Sequence, residues 1–357
     1  MNLPFPYRLL SGLLRRPPSC RSLLVPNLRC SRPHSHRHRN KYLSPSCVRT
    51  MAHTGQSWSQ ALPGGVSMMP RMLYGTAWKT ERTADLVFAA LQAGFRGVDT
   101  AAMAKHYNEA GAGEGIRRAV AAGVCARADL FVQTKFSPGD EAYADRGSIA
   151  DRVAASVASS LRRLATPDGA AAPYIDCLVL HSPYPDPEDT LAAWAAMRAF
   201  VPDRVRGLGI SNVTHAQLVE LLAREAFNPA PVVVQNRFFP QNDQWDRRVR
   251  PLCAARGIRY QGFWTLTATG PEWTRQGYVG AVADGAGVGR ATAWYALLLA
   301  ADITLLNGTT DPEHMREDLD GLARVEEWRK TEEGAQSFAN SLRQFRERTG
   351  TQEPGFR

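Results

Sequence analysis

The chain has 357 residues, 44% of them hydrophobic and 22% charged, ordinary for a soluble enzyme and enough for one barrel-sized α/β domain of about 250 residues. Its net charge of +9 is concentrated: residues 1–50 hold nine Arg, one Lys and no Asp or Glu, and the remainder holds 33 basic against 34 acidic side chains. A near-neutral body gives no reason to expect nucleic acid as a partner.

Residues 1–51 are rich in Arg and Ser, with Leu9, Leu10, Leu13 and Leu14 beside Arg15 and Arg16. This is the composition of an organelle transit peptide, which would direct the protein to mitochondria; the alternative is a disordered extension ahead of a working start at Met51, and a cytoplasmic protein. The apolar runs are too short and too broken by Pro and Arg to span a membrane. His34, His36 and His38 stand among arginines here and are not read as a metal site. Of the six cysteines, Cys20, Cys30 and Cys47 lie in this stretch and Cys125, Cys177 and Cys253 in the body; none has Cys-x-x-Cys spacing, so a reducing compartment is expected.

From residue 71 strand and helix patterns alternate. Strands are expected at 71–75, 95–99, 130–135, 177–180, 205–210, 232–235, 259–263 and 303–306. Helices are expected at 81–94, 109–123, 148–164, 187–200, 214–225, 245–257, 290–301 and 312–322. Thr214 with Gln217 predicts a capping box, and residues 265–289 read as a long Gly-rich connection. Strands that are apolar throughout are buried on both faces, as a parallel sheet requires. Eight such units predict a (β/α)8 TIM barrel over residues 70–325, after the 1–51 extension and before a C-terminal helical tail over 326–357. No Gly-x-Gly-x-x-Gly follows the first strand, which argues against a doubly wound sheet.

Four polar residues sit at or just beyond successive strand ends, where α/β proteins place chemistry: Asp99, Tyr107, Lys135 and His181. In this order, Asp-Thr-Ala with a downstream Tyr and Asn-Glu, then Thr-Lys, then His-x-Pro, the chain resembles the aldo-keto reductase family over residues 71–322, as a divergent, fungal-type member. The resemblance implies a small-molecule aldehyde or ketone reduced by a nicotinamide cofactor. Tyr107 would be the proton donor, Lys135 would lower its pKa, Asp99 would hold the lysine charged, and His181 would orient the carbonyl. The family's tyrosine falls five residues after the Asp, where this chain has Ala104. Residues 104–106 therefore read as an insertion, with His106 or Lys105 as further candidates.

For the cofactor, the resemblance assigns Ser211, Asn212 and Gln235 to the nicotinamide carboxamide and Phe263 to stacking on its ring, with Leu266 and Thr309 alongside. The family's Pro-Lys-Ser…Arg grip on a 2′-phosphate reads here Asn307-Gly308-Thr309…His314, followed by Glu317 and Asp318. NADPH/NADP is the expected cofactor, with NADH as the alternative, since the Lys and Arg are replaced and both acids would repel a dianion. Trp78, Trp264, Trp273 and Phe136 are expected to line an apolar pocket. Two other readings stand beside the reductase: a Schiff-base aldolase using Lys135, and a non-catalytic nicotinamide-binding barrel. Oligomeric state and the identity of the carbonyl are not legible.

Overall fold

The computed structural model describes residues 59–65, 67–167 and 172–351. The expectations for the basic N-terminal stretch, including its histidines and three cysteines, lie outside the described residues.

Eight parallel strands close a barrel: β3 (Met72–Gly75), β4 (Gly97–Asp99), β5 (Phe131–Phe136), β6 (Cys177–Leu180), β7 (Leu208–Ser211), β8 (Val233–Arg237), β9 (Arg259–Phe263) and β10 (Thr304–Asn307). Closure is made by β10 against β3, pairing Leu305 with Met72 and Asn307 with Tyr74. Because side chains alternate along a strand, each strand sends every second residue into the barrel and the others toward the helices. Phe131, Cys177, Val179 and Val233 meet inside, while Val132, Phe136, Leu178 and Val234 join the larger core under the helices.

An antiparallel hairpin precedes the barrel, β1 (Ser59–Ala61) paired with β2 (Met68–Pro70). Its Leu62 and Met69 are buried against Leu73, Phe131 and Val233, and Gln60 donates to Thr304 Oγ1 at 2.7 Å, so it closes the amino-terminal end of the barrel. Strands of three residues in a Ser-, Met- and Pro-rich stretch carry too little periodicity to be read in advance.

The Gly-rich connection after β9 contains two helices, Gly270–Arg275 and Gly277–Ala286, which the sequence reading missed. Tyr278, Val279, Val282 and Ala283 form a buried stripe there in spite of the glycines. The C-terminal helix Glu332–Thr349 packs on this layer, with Phe345 5.1 Å from Trp294 and 6.5 Å from Tyr278 between ring centroids. The Thr214–Gln217 capping box forms as expected. Among the described residues no helix is long and apolar enough to cross a membrane.

Candidate active site

The inward register explains what reaches the carboxyl-terminal mouth. Along β5 the sequence Phe131, Gln133, Lys135 climbs the inside of the barrel; along β8 it is Val233, Gln235, Arg237; along β9 it is Arg259, Gln261, Phe263. Asp99 ends β4 and His181 follows β6. Below the mouth lies a layer of three amides: Gln133 and Gln235 both donate to Gln261 Oε1 at 2.9 Å.

Asp99 stands on this layer. Its Oδ1 accepts from Gln133 at 2.7 Å and Gln235 at 3.1 Å, and its Oδ2 accepts from Lys135 Nζ at 2.6 Å. Lys135 is 1% exposed and also donates to the Thr100 carbonyl at 2.8 Å. Burial alone would neutralise the amine, but Asp99 and Tyr107 reverse that pull and hold Lys135 above the usual lysine range.

The insertion resolves into one turn. The amides of His106 and Tyr107 both reach the Met103 carbonyl, at 3.3 and 3.1 Å, so Ala104 and Lys105 bulge into solvent and Tyr107 returns over the barrel. Its ring centroid is 5.0 Å from Lys135 Nζ and 5.8 Å from the His181 ring. Asn108 caps the next helix, Glu109–Ala121, by accepting from the Gly111 amide at 2.8 Å. Buried Glu109 accepts from Thr134 and Ser160 and pairs with Arg163 at 3.2 Å, fastening the Tyr107 loop to the strand that carries Lys135. Lys105 is exposed, and His106 packs on Trp78 with 4.2 Å between ring centroids.

The Tyr107 phenol is held above its ordinary range, not below it. Burial, the largest influence, raises its pKa and Asp99 adds to this; Lys135 opposes both without overcoming them. The hydroxyl therefore keeps its proton at neutral pH. His181 is depressed to about 3 by burial and then by Lys135, so the ring is neutral; its Nδ1 lies 2.6 Å from Ser137 Oγ.

The cofactor candidates fall in three places. Ser211 donates to the Gln235 carbonyl at 2.6 Å, and Asn212 Nδ2 donates to the His181 carbonyl at 2.8 Å. Gln235 sits one layer deeper, its Nε2 engaged by Asp99 and Gln261. Phe263 and Leu266 are half-buried at the rim. Beyond β10, the Thr309 amide bonds Asn307 Oδ1, His314 is exposed beside Asp311, and Glu317 is exposed. Asp318 departs from the expected repulsive role: it lies on the inward stripe of the helix Pro312–Trp328 with Met315 and Leu322, accepting from Asn307 and Thr292. The pocket expectation also divides, since Trp78 and Trp264 are 66% and 42% exposed whereas Phe136 is in the core and Trp273 packs against it.

Three cations were not singled out from the sequence. Lys79 donates to the Gly308 carbonyl at 2.9 Å and Arg82 to the Thr310 carbonyl at 3.3 Å, so the β3 side brings charge to the loop that lacks it. Burial lowers Lys79 to about 8. Arg237 lies over the Trp264 and Phe263 rings, 4.9 and 5.4 Å from their centroids, and donates to Asn212 Oδ1 at 2.6 Å. Its position two residues after Gln235, on the same inward face, was the available signal. A separate groove of about 890 Å³, lined by His215, Arg247, Arg343 and Arg346 among others, holds none of these residues.

Residues 71–270 match the model of the Aldo/keto reductase family. The chain is 35% identical to morphine 6-dehydrogenase from Pseudomonas putida over 170 residues, 47% of this chain and 51% of that protein. It is 32% identical to glyoxal reductase from Bacillus subtilis over 179 residues, 50% of this chain and 55% of that protein. The chain thus spans about half the length of these curated relatives. The fold is similar to that of a Bombyx mori aldo-keto reductase solved in complex with NADP, with a TM-score of 0.61 and 21% identity over 80% of this chain and 92% of that one. With more than half of its length matching the family model around a closed parallel barrel, the chain belongs to the aldo/keto reductase family.

Proposed function

We propose that the protein is an NADPH-dependent oxidoreductase that reduces an aldehyde or ketone to an alcohol. The observation that carries this reading is the buried Asp99–Lys135 pair, 2.6 Å apart, with the Tyr107 phenol and neutral His181 ring facing the same space. The bound nicotinamide would supply the hydride. Tyr107, protonated at neutral pH, delivers the proton that the developing alkoxide needs. Lys135 stabilises the phenolate left behind, and Asp99 keeps that ammonium charged and in place. With Ser137 donating to Nδ1, His181 would carry its proton on Nε2 and hold the carbonyl oxygen beside the phenol.

The site suits a nicotinamide dinucleotide. Short polar groups (Ser211, Asn212) and an aromatic face (Phe263) stand at the mouth, and Lys79 and Arg82 flank the 308–310 loop where phosphates would need charge. These two cations support NADPH over NADH in spite of the missing Lys and Arg. A lysine held protonated against Asp99 is a poor amine nucleophile, which weighs against the Schiff-base reading. The test is loss of absorbance at ~340 nm from NADPH and from NADH across aldehydes, ketones and sugars. Turnover of some carbonyl, faster with NADPH, is expected. Borohydride trapping of substrate on Lys135 with no nicotinamide dependence would replace this reading with the aldolase.

A further inference from the structure

A guanidinium in the mouth of a reductase site needs an explanation, because a partly buried charge is costly unless it is paired. Among the described residues no carboxylate lies within 4.0 Å of Arg237; its polar contact is the neutral oxygen of Asn212 at 2.6 Å. The nearby acid, Asp99, is already neutralised by Lys135. The guanidinium lies over the Phe263 and Trp264 rings at the barrel mouth, 5.4 and 4.9 Å from their centroids. Its charge reaches the reacting groups: it acts on both the Tyr107 phenol and the His181 ring, and burial lowers its own pKa.

Resting on the reductase reading above, we infer that Arg237 is the receptor for a carboxylate carried by the substrate, so that the favoured substrates are oxo acids: aldehydes or ketones bearing an acidic group. Three features of the site fit that chemistry. A planar guanidinium matches a carboxylate in a two-bond fork. The exposed faces of Trp78 and Trp264 would cover the apolar stretch between carboxylate and carbonyl. Finally, the Asn212 oxygen and the Phe263 face, now engaged by Arg237, are the groups proposed to hold the nicotinamide. A cofactor seated on those groups would leave the guanidinium to an anionic partner.

The experiment compares kcat/KM for 4-carboxybenzaldehyde and benzaldehyde, with NADPH. The wild type is expected to favour the acid by about tenfold or more, the scale of one charge-assisted bond. Arg237→Gln should bring the ratio close to one, and Arg237→Lys should restore part of it. A wild-type ratio near one, or a preference that survives Arg237→Gln, overturns the inference. A tenfold loss of NADPH affinity in Arg237→Gln with the ratio intact also overturns it, by assigning the charge to the cofactor's phosphates. If neither aldehyde is reduced, the reductase reading is in question, and binding separates the two ideas. With NADP present, benzoate, unlike benzyl alcohol, should then change the tryptophan fluorescence of the wild type, and the response should vanish in Arg237→Gln. A benzoate response indifferent to that substitution removes Arg237 as the receptor.

Discussion

The two ends of the barrel each bury a carboxylate, and they surround it differently. At the amino-terminal end Asp176 is saturated: it pairs with Arg127 at 2.8 Å and Arg206 at 3.1 Å, and accepts from the Val132 amide and from Ser67. Both arginines lie over Tyr174, 4.0 and 3.9 Å from its ring centroid. At the carboxyl-terminal end Asp99 has one cation, Lys135, which also acts on Tyr107 in the pocket. The first arrangement closes on itself and fastens hairpin to barrel. The second passes its charge to a titratable group at the mouth. A buried carboxylate is thus structural or chemical according to whether its cation has anything further to act on.

Substitutions at the two ends should separate stability from turnover. The largest effect expected is at Asp176: Asp176→Ala takes the carboxylate away from Arg127, Arg206 and the Val132 amide, and breaking such a buried pair costs about 3–5 kcal/mol. Chemical denaturation should show that loss, with kcat per folded molecule unchanged; a drop in kcat at constant stability would dissolve the distinction. Next comes Tyr107→Phe, which removes the proposed proton donor and should lower turnover at least ~10²-fold with unfolding free energy and cofactor affinity nearly intact. Near-normal activity would mean that another acid serves.

A third buried carboxylate sharpens the contrast. The partners of Asp318, Asn307 and Thr292, are neutral, and burial pushes its carboxyl up to about 6. A carboxyl raised above its unfolded value adds stability that is fully present below about pH 4 and is lost as pH rises through about 6. Denaturant titrations of wild type and Asp318→Asn should therefore converge or cross against the wild type between pH 4 and 6, and run parallel above 7. A constant difference across that window would show that the neutral partners suffice for the charged form.

The smallest effect is expected outside the barrel. We propose that residues 1–51 are a separable extension, and their removal should leave a folded, active protein with a net charge near −1. Ion-exchange behaviour should change while the thermal transition stays within a degree or two; aggregation of the shortened chain would contradict this.

The barrel and the four strand-end residues were legible because apolar runs and their polar termini are local patterns. Tyr107 was singled out in spite of the insertion, as the one phenol near Asp99, and only the net direction of its pKa shift differs: the lowering by Lys135 is visible in sequence, whereas the burial that outweighs it is not. Asp318 was misplaced for a similar reason, since helical phase, not proximity in sequence, decides whether it faces the mouth or the core. Lys79, Arg82 and Arg237 escaped because their roles depend on which strands become neighbours. The hairpin and the two helices after β9 were missed where glycine, methionine and proline blur the periodicity.

Closure of the barrel also bears on how the chain is made. Met72 and Leu305, which pair across the seam, are 233 positions apart, and joining the ends of so long a loop costs about 5 kcal/mol in chain entropy. Synthesis delivers β3 early and β10 last, so until residues 304–307 emerge, β3 and β9 are both open sheet edges, the kind that recruit strands from other chains. The Lys79–Gly308 and Arg82–Thr310 bonds cross the same seam. The groups proposed to meet the cofactor's phosphates therefore come together only when the last strand locks, and a nascent or C-terminally shortened chain has neither a finished barrel nor a cofactor site to protect it.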